Sequence, residues 1–214
     1  MTQSEFLEPA PSSEDPTTRL SIEAHKGNAE AFGALFEKVA PDLYIWASVR
    51  IFSKLRGCIQ PDDIVQETWA RAWRDISQGK HRHHDSPFRR WIFSIAKRVL
   101  QSAIQYVQKN GSRGLISNQS GLLTYQNKPD PYATRLTQKV ARNEQIQAFR
   151  ELISDLPQQD QYLIFYLAFE GLSHQETAER MTLSVDAVSQ RWRRLKLHLK
   201  EIAEARDIDL RDIG

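Results

Sequence analysis

The 214-residue sequence predicts an all-helical protein of two small helical domains joined by a flexible linker, with a helix-turn-helix in the second domain. Three observations support this fold class. Apolar residues recur at helical spacing through most of the chain, and little of it alternates as strands do. Residues 109–134 collect Gly, Ser, Asn and Pro between two periodic segments, which is typical of a linker. A capping box and a short turn precede a long basic helix.

Composition sets the domain limits. Residues 1–18 contain four acids, no base and many Pro, Ser and Thr, so we predict a disordered acidic tail. The first domain is expected at 19–108 and the second at 135–205. A short tail at 206–214 completes the chain.

The first half of the first domain is predicted to hold two helices. Phe32, Leu35, Phe36 and Val39 recur on one amphipathic helix, and Pro41 is placed to open another.

Two further helices complete this domain. The third is predicted from Asp62 to Ile76, where acids in the first turn suit the positive end of the helix dipole. Its outer side carries Asp63, Gln66, Glu67, Arg71 and Arg74. The fourth begins at Ser86-Pro87, a good N-cap and first-position pair. Its polar face presents Arg89, Arg90, Ser94, Lys97, Arg98 and Gln101.

The second domain contains the most informative stretch. After a helix that ends at Leu156-Pro157 and an apolar helix over about 158–169, Ser173 and Glu176 form a capping box. A turn at 182–184 then leads into a long helix capped by Ser184. Its predicted inward row is Val188, Trp192, Leu195, Leu199 and Ile202. A short helix, a turn and a longer basic helix form a helix-turn-helix.

Charge is distributed unevenly behind a net value of +2. Residues 80–98 and 187–200 are strongly basic, whereas residues 1–18 and 201–214 are acidic. The near-neutral total therefore does not exclude a nucleic-acid binder.

The basic helix of the second domain can read base edges. With its inward row buried, Asp186, Ser189, Gln190 and Arg193 face outward. Gln can pair with adenine and Arg with guanine, each good pair giving about 1–3 kcal/mol of discrimination. Phosphate contacts are expected from Arg191, Arg194 and Lys196. The alternative is a bundle helix with a solvated basic face.

The basic helix of the first domain is less specific. Its cations could follow a phosphate backbone, and an exposed Trp91 or Phe93 could stack on an unpaired base, although an aromatic residue there is more often core.

Several other classes are disfavoured. The single cysteine, Cys58, excludes a disulfide framework, and no signal peptide or membrane span is evident, so we expect a cytoplasmic protein. The histidines of 81–85 lack the spacing of a known zinc site, and the acids near Asp62 suit a solvated helix start. No phosphate loop or nucleophile motif is present, so neither an enzyme, a metal site nor a cofactor is expected.

Two motifs resemble a known family. Residues 62–73 (DDIVQETWARAW) with 88–98 (FRRWIFSIAKR) look like the second conserved region of bacterial RNA polymerase sigma factors. Leu156-Pro157 and residues 171–191 resemble the fourth. Their order, without a third region between them, is similar to the compact extracytoplasmic-function (ECF) type.

The resemblance implies a division of labour for these residues. The third helix would bind the clamp of core RNA polymerase, through Asp62, Asp63, Gln66, Glu67 and Arg71. The fourth helix and the loop before it would recognise and help melt the minus-ten promoter element, through His83, Arg89, Arg90, Trp91, Ser94, Lys97, Arg98 and Gln101. The last long helix would read the minus-thirty-five element, through Ser184, Asp186, Ala187, Ser189, Gln190, Arg191, Arg193, Arg194 and Lys196.

The sequence also departs from the family pattern. Thr182 stands in the turn where Gly is common, and Ala187 stands where the recognition helix commonly has Thr. Base preference is therefore not transferred, and the presence of an anti-sigma partner stays open.

The expected function is a sigma factor that directs promoter-specific initiation, with core polymerase and promoter DNA as partners. A free-standing dimeric helix-turn-helix regulator is the first alternative, and it predicts tight operator binding without polymerase. A metal-dependent hydrolase using the histidine loop and Asp62/Asp63 is the second, and it predicts stoichiometric metal.

Overall fold

The computed structural model of the chain describes residues 16–51, 55, 57–80, 87–110 and 131–208, and all regular elements in that part are helices. They are α1 (Pro16–His25), α2 (Ala29–Arg50), α3 (Pro61–Ser77), α4 (Phe88–Asn110), α5 (Pro131–Ala141), α6 (Glu144–Asp155), α7 (Gln158–Leu163), a π-helical segment (Ile164–Phe169), α8 (His174–Met181) and α9 (Val185–Ala205). The predicted all-helical class is confirmed. Within this part no helix combines the length and apolar character needed to cross a membrane.

Helices extend beyond the limits predicted from composition. α1 begins inside the predicted acidic tail, α4 continues to Asn110, and α5 begins at Pro131, inside the predicted linker. Residues 1–15 and 111–130 lie outside the described residues. The helices therefore leave a shorter connection than composition indicated.

The prediction of two helices around Pro41 is wrong, because α2 continues through it for 22 residues. Proline lacks the N–H that would bond to the carbonyl four residues earlier, which normally ends or kinks a helix. Here the helix is buried on both sides of the proline, with Phe36 and Ile45 fully inaccessible. Burial along the whole helix offsets the lost hydrogen bond.

An aromatic cluster holds α2, α3 and α4 together. Trp69 of α3 stacks between Phe32 and Phe36 of α2, with ring centroids 4.0 and 4.4 Å apart. Phe88, at the start of α4, meets the edge of Trp69 at 6.3 Å. Such pairs add about 0.5–1.5 kcal/mol each beyond area burial. The cluster fixes α4 and its basic residues relative to α3.

The second half of the chain packs against the first through one continuous apolar core. α5 lies against α2 and α3, and α6 against α2. Phe169, at the end of the π-helical segment, stacks on Phe93 of α4 at 6.2 Å and 19°. Sequence periodicity identified these apolar faces but did not predict that they would meet.

The π-helical segment is a local feature that periodicity missed. The Glu170 N–H bonds to the Phe165 carbonyl five residues earlier at 2.9 Å, not four as in an α-helix. Gly171 follows with φ of +66°, a left-handed conformation that glycine adopts without steric cost. The segment brings Phe165, Phe169 and Glu170 into the buried interior.

Candidate nucleic-acid interface

α8 and α9 form the predicted helix-turn-helix, and each begins with a side-chain cap. The Glu176 N–H donates to the Ser173 hydroxyl at 3.2 Å, and the Ser173 N–H donates to the Glu176 carboxylate at 2.9 Å. The reciprocal capping box is therefore confirmed. Ser184 caps α9 by accepting from the Ala187 N–H at 3.1 Å. Both helix starts are fixed by sequence-local hydrogen bonds.

Thr182, in the turn, has φ of 56° and ψ of 45°. This left-handed conformation is costly for a β-branched residue and free for glycine. The glycine common in the family at this position thus has a steric reason.

α9 presents a polar outer face opposite Val188 and Leu195, which are buried. The exposed members of the predicted set are Ser184, Asp186, Ala187, Gln190, Arg193, Arg194 and Lys196. Ser189 is half-buried, and its hydroxyl lies 3.3 Å from the ring Nδ1 of His174 on α8. In the part of the chain described, no ion pair engages Arg193, Arg194 or Lys196. Three uncompensated cations and an amide can meet phosphates and base edges.

Arg191 occupies a different environment from the rest of the predicted set. Its Nε donates to Asp160 of α7 at 2.6 Å, and another guanidinium nitrogen donates to Gln159 at 2.5 Å. The hydrogen bond to Asp160 raises the pKa of Arg191 further above its ordinary value. This arginine, predicted to contact phosphate, instead joins α9 to α7 in this structure.

The basic face of α4 is largely neutralised by acids. Arg89 donates to Asp42 of α2 at 2.5 Å, and that aspartate is 1% exposed. Burial raises the pKa of Asp42, and the charge of Arg89 opposes the shift. Arg98 and Gln101 are exposed. Arg89 therefore anchors α4 on α2, while the other two residues are available to a ligand.

Arg90 and Lys97 of α4 pair with acids of the second domain. Arg90 donates both terminal nitrogens to Glu176, at 2.8 and 2.9 Å. The Lys97 ammonium lies 2.5 Å from Glu170, which also receives Arg180 at 3.2 Å. Burial lowers the pKa of Lys97, and the bond to Glu170 opposes that shift. Sequence analysis missed both pairings, because neither the capping box that contains Glu176 nor the residues around Glu170 predict a partner on α4.

The aromatic residues proposed for base stacking differ in exposure. Trp91 is half-buried, with its ring 5.6 Å from that of Phe88. Phe93 is fully buried between Trp46 and Phe169, so the suggestion that it is exposed is wrong in this arrangement. The Ser94 hydroxyl donates to the Trp91 carbonyl at 2.7 Å. His83 lies outside the described residues, as does the rest of the loop at 81–86.

The predicted polymerase face on α3 is half-buried. Its members are Asp62, Asp63, Gln66, Glu67 and Arg71. Arg71 donates to Glu67 at 2.6 Å. Burial, with a smaller effect from the charge of Asp62, raises the pKa of Asp63 to about 6. In the described part no three His, Cys, Asp or Glu side chains cluster as metal ligands would, and the histidines at 81–85 are outside it.

Two family models match the chain. Sigma-70 region 2 matches residues 35–111 and Sigma-70 region 4 matches residues 146–199, together more than half of the sequence. The first match contains α3 and α4. The second contains α8 and the first 15 of the 21 residues of α9.

Individual proteins are also similar. The RNA polymerase sigma factor CnrH of Cupriavidus metallidurans is 26% identical over 196 residues, which are 90% of this chain and 96% of CnrH. The ECF RNA polymerase sigma factor SigC of Mycobacterium tuberculosis is 31% identical over 97 residues, 45% of this chain and 48% of SigC. A solved structure of CnrH in complex with the cytosolic domain of CnrY covers 89% of this chain and 99% of that one, with 26% identity and a TM-score of 0.40.

Proposed function

Because the chain belongs to the ECF type of RNA polymerase sigma factors, which direct transcription initiation, we propose that α9 reads the minus-thirty-five element and α4 engages the minus-ten element. The observation that carries this proposal is the capped helix-turn-helix whose second helix exposes Arg193, Arg194 and Lys196, none of which has an ion-pair partner among the residues that the structure describes. The polymerase supplies the catalysis, and this chain supplies promoter choice. We expect it to act in the cytoplasm, where polymerase and chromosome are found.

For α9 the proposed contacts divide by position. Asp186, Gln190 and Arg193 lie near the helix start, which is the part that enters the major groove in this motif. Arg194 and Lys196 lie to the side or further along and meet phosphates. Arg191 acts as a positioning residue, because its bonds to α7 fix the orientation of the helix.

For α4 the proposed contacts follow one helix face. Arg90, Ser94, Lys97 and Gln101 recur at intervals of three or four residues, and Arg98 lies beside them. Two cations and two neutral polar residues at that spacing suit a single strand's phosphates, and Trp91 offers a ring for an unpaired base. Arg89, which is turned about 100° from Arg90 around the helix axis, holds the helix in place through Asp42.

α3 is the proposed polymerase contact. Its carboxylates and Gln66 form a polar, largely acidic surface suited to a basic partner surface. Binding there would place α4 and α9 on one polymerase, so that two weak DNA contacts act together.

Run-off transcription with core polymerase on genomic fragments tests the function. Transcripts should start at a small set of sites, and only when this protein is added. Tight, specific binding to the same fragments by the free protein, with no transcript, would instead identify a free-standing regulator.

A further inference from the structure

We propose that in the free protein the second domain covers the strand surface of α4, which is the face that carries Arg90, Ser94, Lys97 and Gln101. Two carboxylates of the second domain lie where phosphates of the minus-ten strand would bind, and Phe169 lies where an unpaired base would stack. This rests on the proposed role of α4. We call Phe169, Glu170 and Glu176 the Phe169 patch. While the patch is seated, the strand surface is closed, and separation of the domains opens it.

The charges of the patch coincide with the cations of the strand surface. Glu176 accepts from Arg90 in the bidentate geometry with which arginine also grips a phosphate. Glu170 accepts from Lys97, which lies about two helical turns beyond Arg90 on the same face of α4. A DNA strand could not bind both cations without displacing both carboxylates.

The ring of Phe169 completes the resemblance to a nucleic-acid strand. It lies nearly parallel to Phe93, with centroids 6.2 Å apart. Phe93 is inaccessible while this ring is in place. Stacking on an aromatic platform is how single-stranded bases are commonly held, so loss of Phe169 would uncover a platform between the two cations.

Arg50 of α2 joins the domains beside the patch. Its guanidinium lies 5.2 Å from the Trp46 ring of its own helix and 5.6 and 4.9 Å from the rings of Tyr162 and Phe165 in the second domain. Two of its nitrogens, Nε and Nη2, are buried and have no hydrogen-bond partner within the described ranges. The interface is therefore specific but incompletely satisfied.

The interface can open because some of its polar groups are only partly compensated. Oε1 of Glu170 is buried and has no hydrogen-bond partner in the part of the chain that the structure describes, and the side chains of Arg90 and Glu176 are 36% and 38% exposed. Partly exposed ion pairs are weak and are screened by salt, and a buried carboxylate with an unused oxygen is not fully compensated. A polyanion that satisfies Arg90 and Lys97 can compete with the patch.

The test uses the full chain and a labelled, mixed-sequence single-stranded DNA of about 12 nucleotides, within the size that one such surface covers. Glu170→Gln keeps the shape but removes the charge opposite Lys97 and Arg180. Glu151→Gln is the matched control, because it removes the same charge from an exposed residue of α6 whose ion-pair partner among the described residues is its neighbour Arg150. Binding is measured by fluorescence anisotropy.

We expect Glu170→Gln to bind the strand at least about threefold more tightly than Glu151→Gln, because affinity rises with the fraction of open molecules. Equal affinities would overturn the proposal. Phe169→Leu, which keeps the position apolar but removes the ring, should act in the same direction.

Hydrogen exchange of the wild-type chain gives a readout that needs no variant. Saturating strand should accelerate exchange across 164–170 if the patch is displaced, and unchanged or slower exchange would contradict displacement. If wild-type protein supports initiation but Glu170→Gln matches its control, the closure fails and the sigma function stands. If the wild-type protein supports no transcription initiation with core polymerase, the proposed function fails.

Discussion

Thr182 adopts a strained backbone conformation that the turn of the helix-turn-helix requires. It holds the left-handed turn between α8 and α9 at φ of 56°. A residue in a sparsely populated region costs about 1–3 kcal/mol, whereas glycine adopts it freely but loses about 0.5–1 kcal/mol more chain entropy on folding. If glycine replaced Thr182, the relief of steric strain would therefore exceed the added loss of chain entropy.

We therefore expect Thr182→Gly to raise the free energy of unfolding by about 1 kcal/mol. Urea denaturation measures the change. Gln175→Gly, on the exposed side of α8, is the control and should lower stability by about 1 kcal/mol. A loss at Thr182 equal to that at Gln175 would mean that the turn is not strained.

Asp63 connects stability with pH. Its pKa is raised from 3.8 to about 6, chiefly by burial and then by Asp62. Between those values the folded state binds more protons than the unfolded state, so stability from this residue is present at low pH and is lost as pH rises to about 6.

Asp63→Asn should accordingly be more stable than wild type at neutral pH, by on the order of 1 kcal/mol, with little difference below the ordinary aspartate pKa. Denaturation across the acidic range measures it. Asp75→Asn, on the same helix, is the comparison, and an identical pH profile for both variants would refute the assignment to Asp63.

The contacts proposed for α9 divide into base-reading and phosphate-binding residues. Arg193→Ala should change which upstream sequences are preferred, whereas Arg194→Ala should weaken binding about equally on all sequences and lower the salt slope by about 1. Transcription from a randomised upstream element, sequenced at depth, distinguishes these results. A uniform loss for Arg193→Ala would move that residue to the phosphate class.

α3 makes a separate prediction about polymerase. Glu67→Lys reverses a charge on its outer side and removes the partner of Arg71, so affinity for core polymerase should fall by about tenfold or more, since like charges juxtaposed at an interface are costly. Pull-down titration with core enzyme measures this. Glu30→Lys, exposed in the first turn of α2, is the control, and equal affinities for the two variants would argue against the α3 assignment.

Local signals explain which elements could be predicted. The capping box at Ser173, the cap at Ser184 and the apolar spacing of α9 are local in sequence, and their interpretation agrees with the structure. The continuation of α2 through Pro41 depends on burial by other helices, which no local pattern contains. The π-helical segment likewise has no periodicity distinct enough from that of α7.

For the whole molecule, the pairing of surfaces was beyond sequence reasoning. The sequence offered Phe93 as a ring for base stacking and placed Phe169 in an apolar helix, but no pattern showed that the two rings face each other. Likewise Arg90 and Lys97 were recognised as cations without their partners, Glu176 and Glu170, which are 86 and 73 residues away. The candidate DNA-binding residues could be predicted from the sequence, but the ion pairs that they form with the second domain could not.

This arrangement predicts the salt dependence of DNA binding by the free protein. The exposed cations of α9 number four (Arg193, Arg194, Lys196 and Lys200), which gives a log–log slope of about 3–4 on duplex DNA. If every cation of the basic segments 80–98 and 187–200 contacted DNA, the slope would be roughly 10. Affinities measured across a range of salt concentrations separate the two, and the steeper slope would show that α4 is open before polymerase binds.

The π-helical segment at Ile164–Phe169 also bears on ancestry. It accommodates the equivalent of one inserted residue without breaking the helix, and it turns everything downstream by about 100° relative to an uninterrupted α-helix. A relative with an ordinary helix here would align with a one-residue gap between Leu163 and Glu170. Insertions and deletions at this point, more than substitutions, would decide whether a descendant keeps Phe169 facing α4.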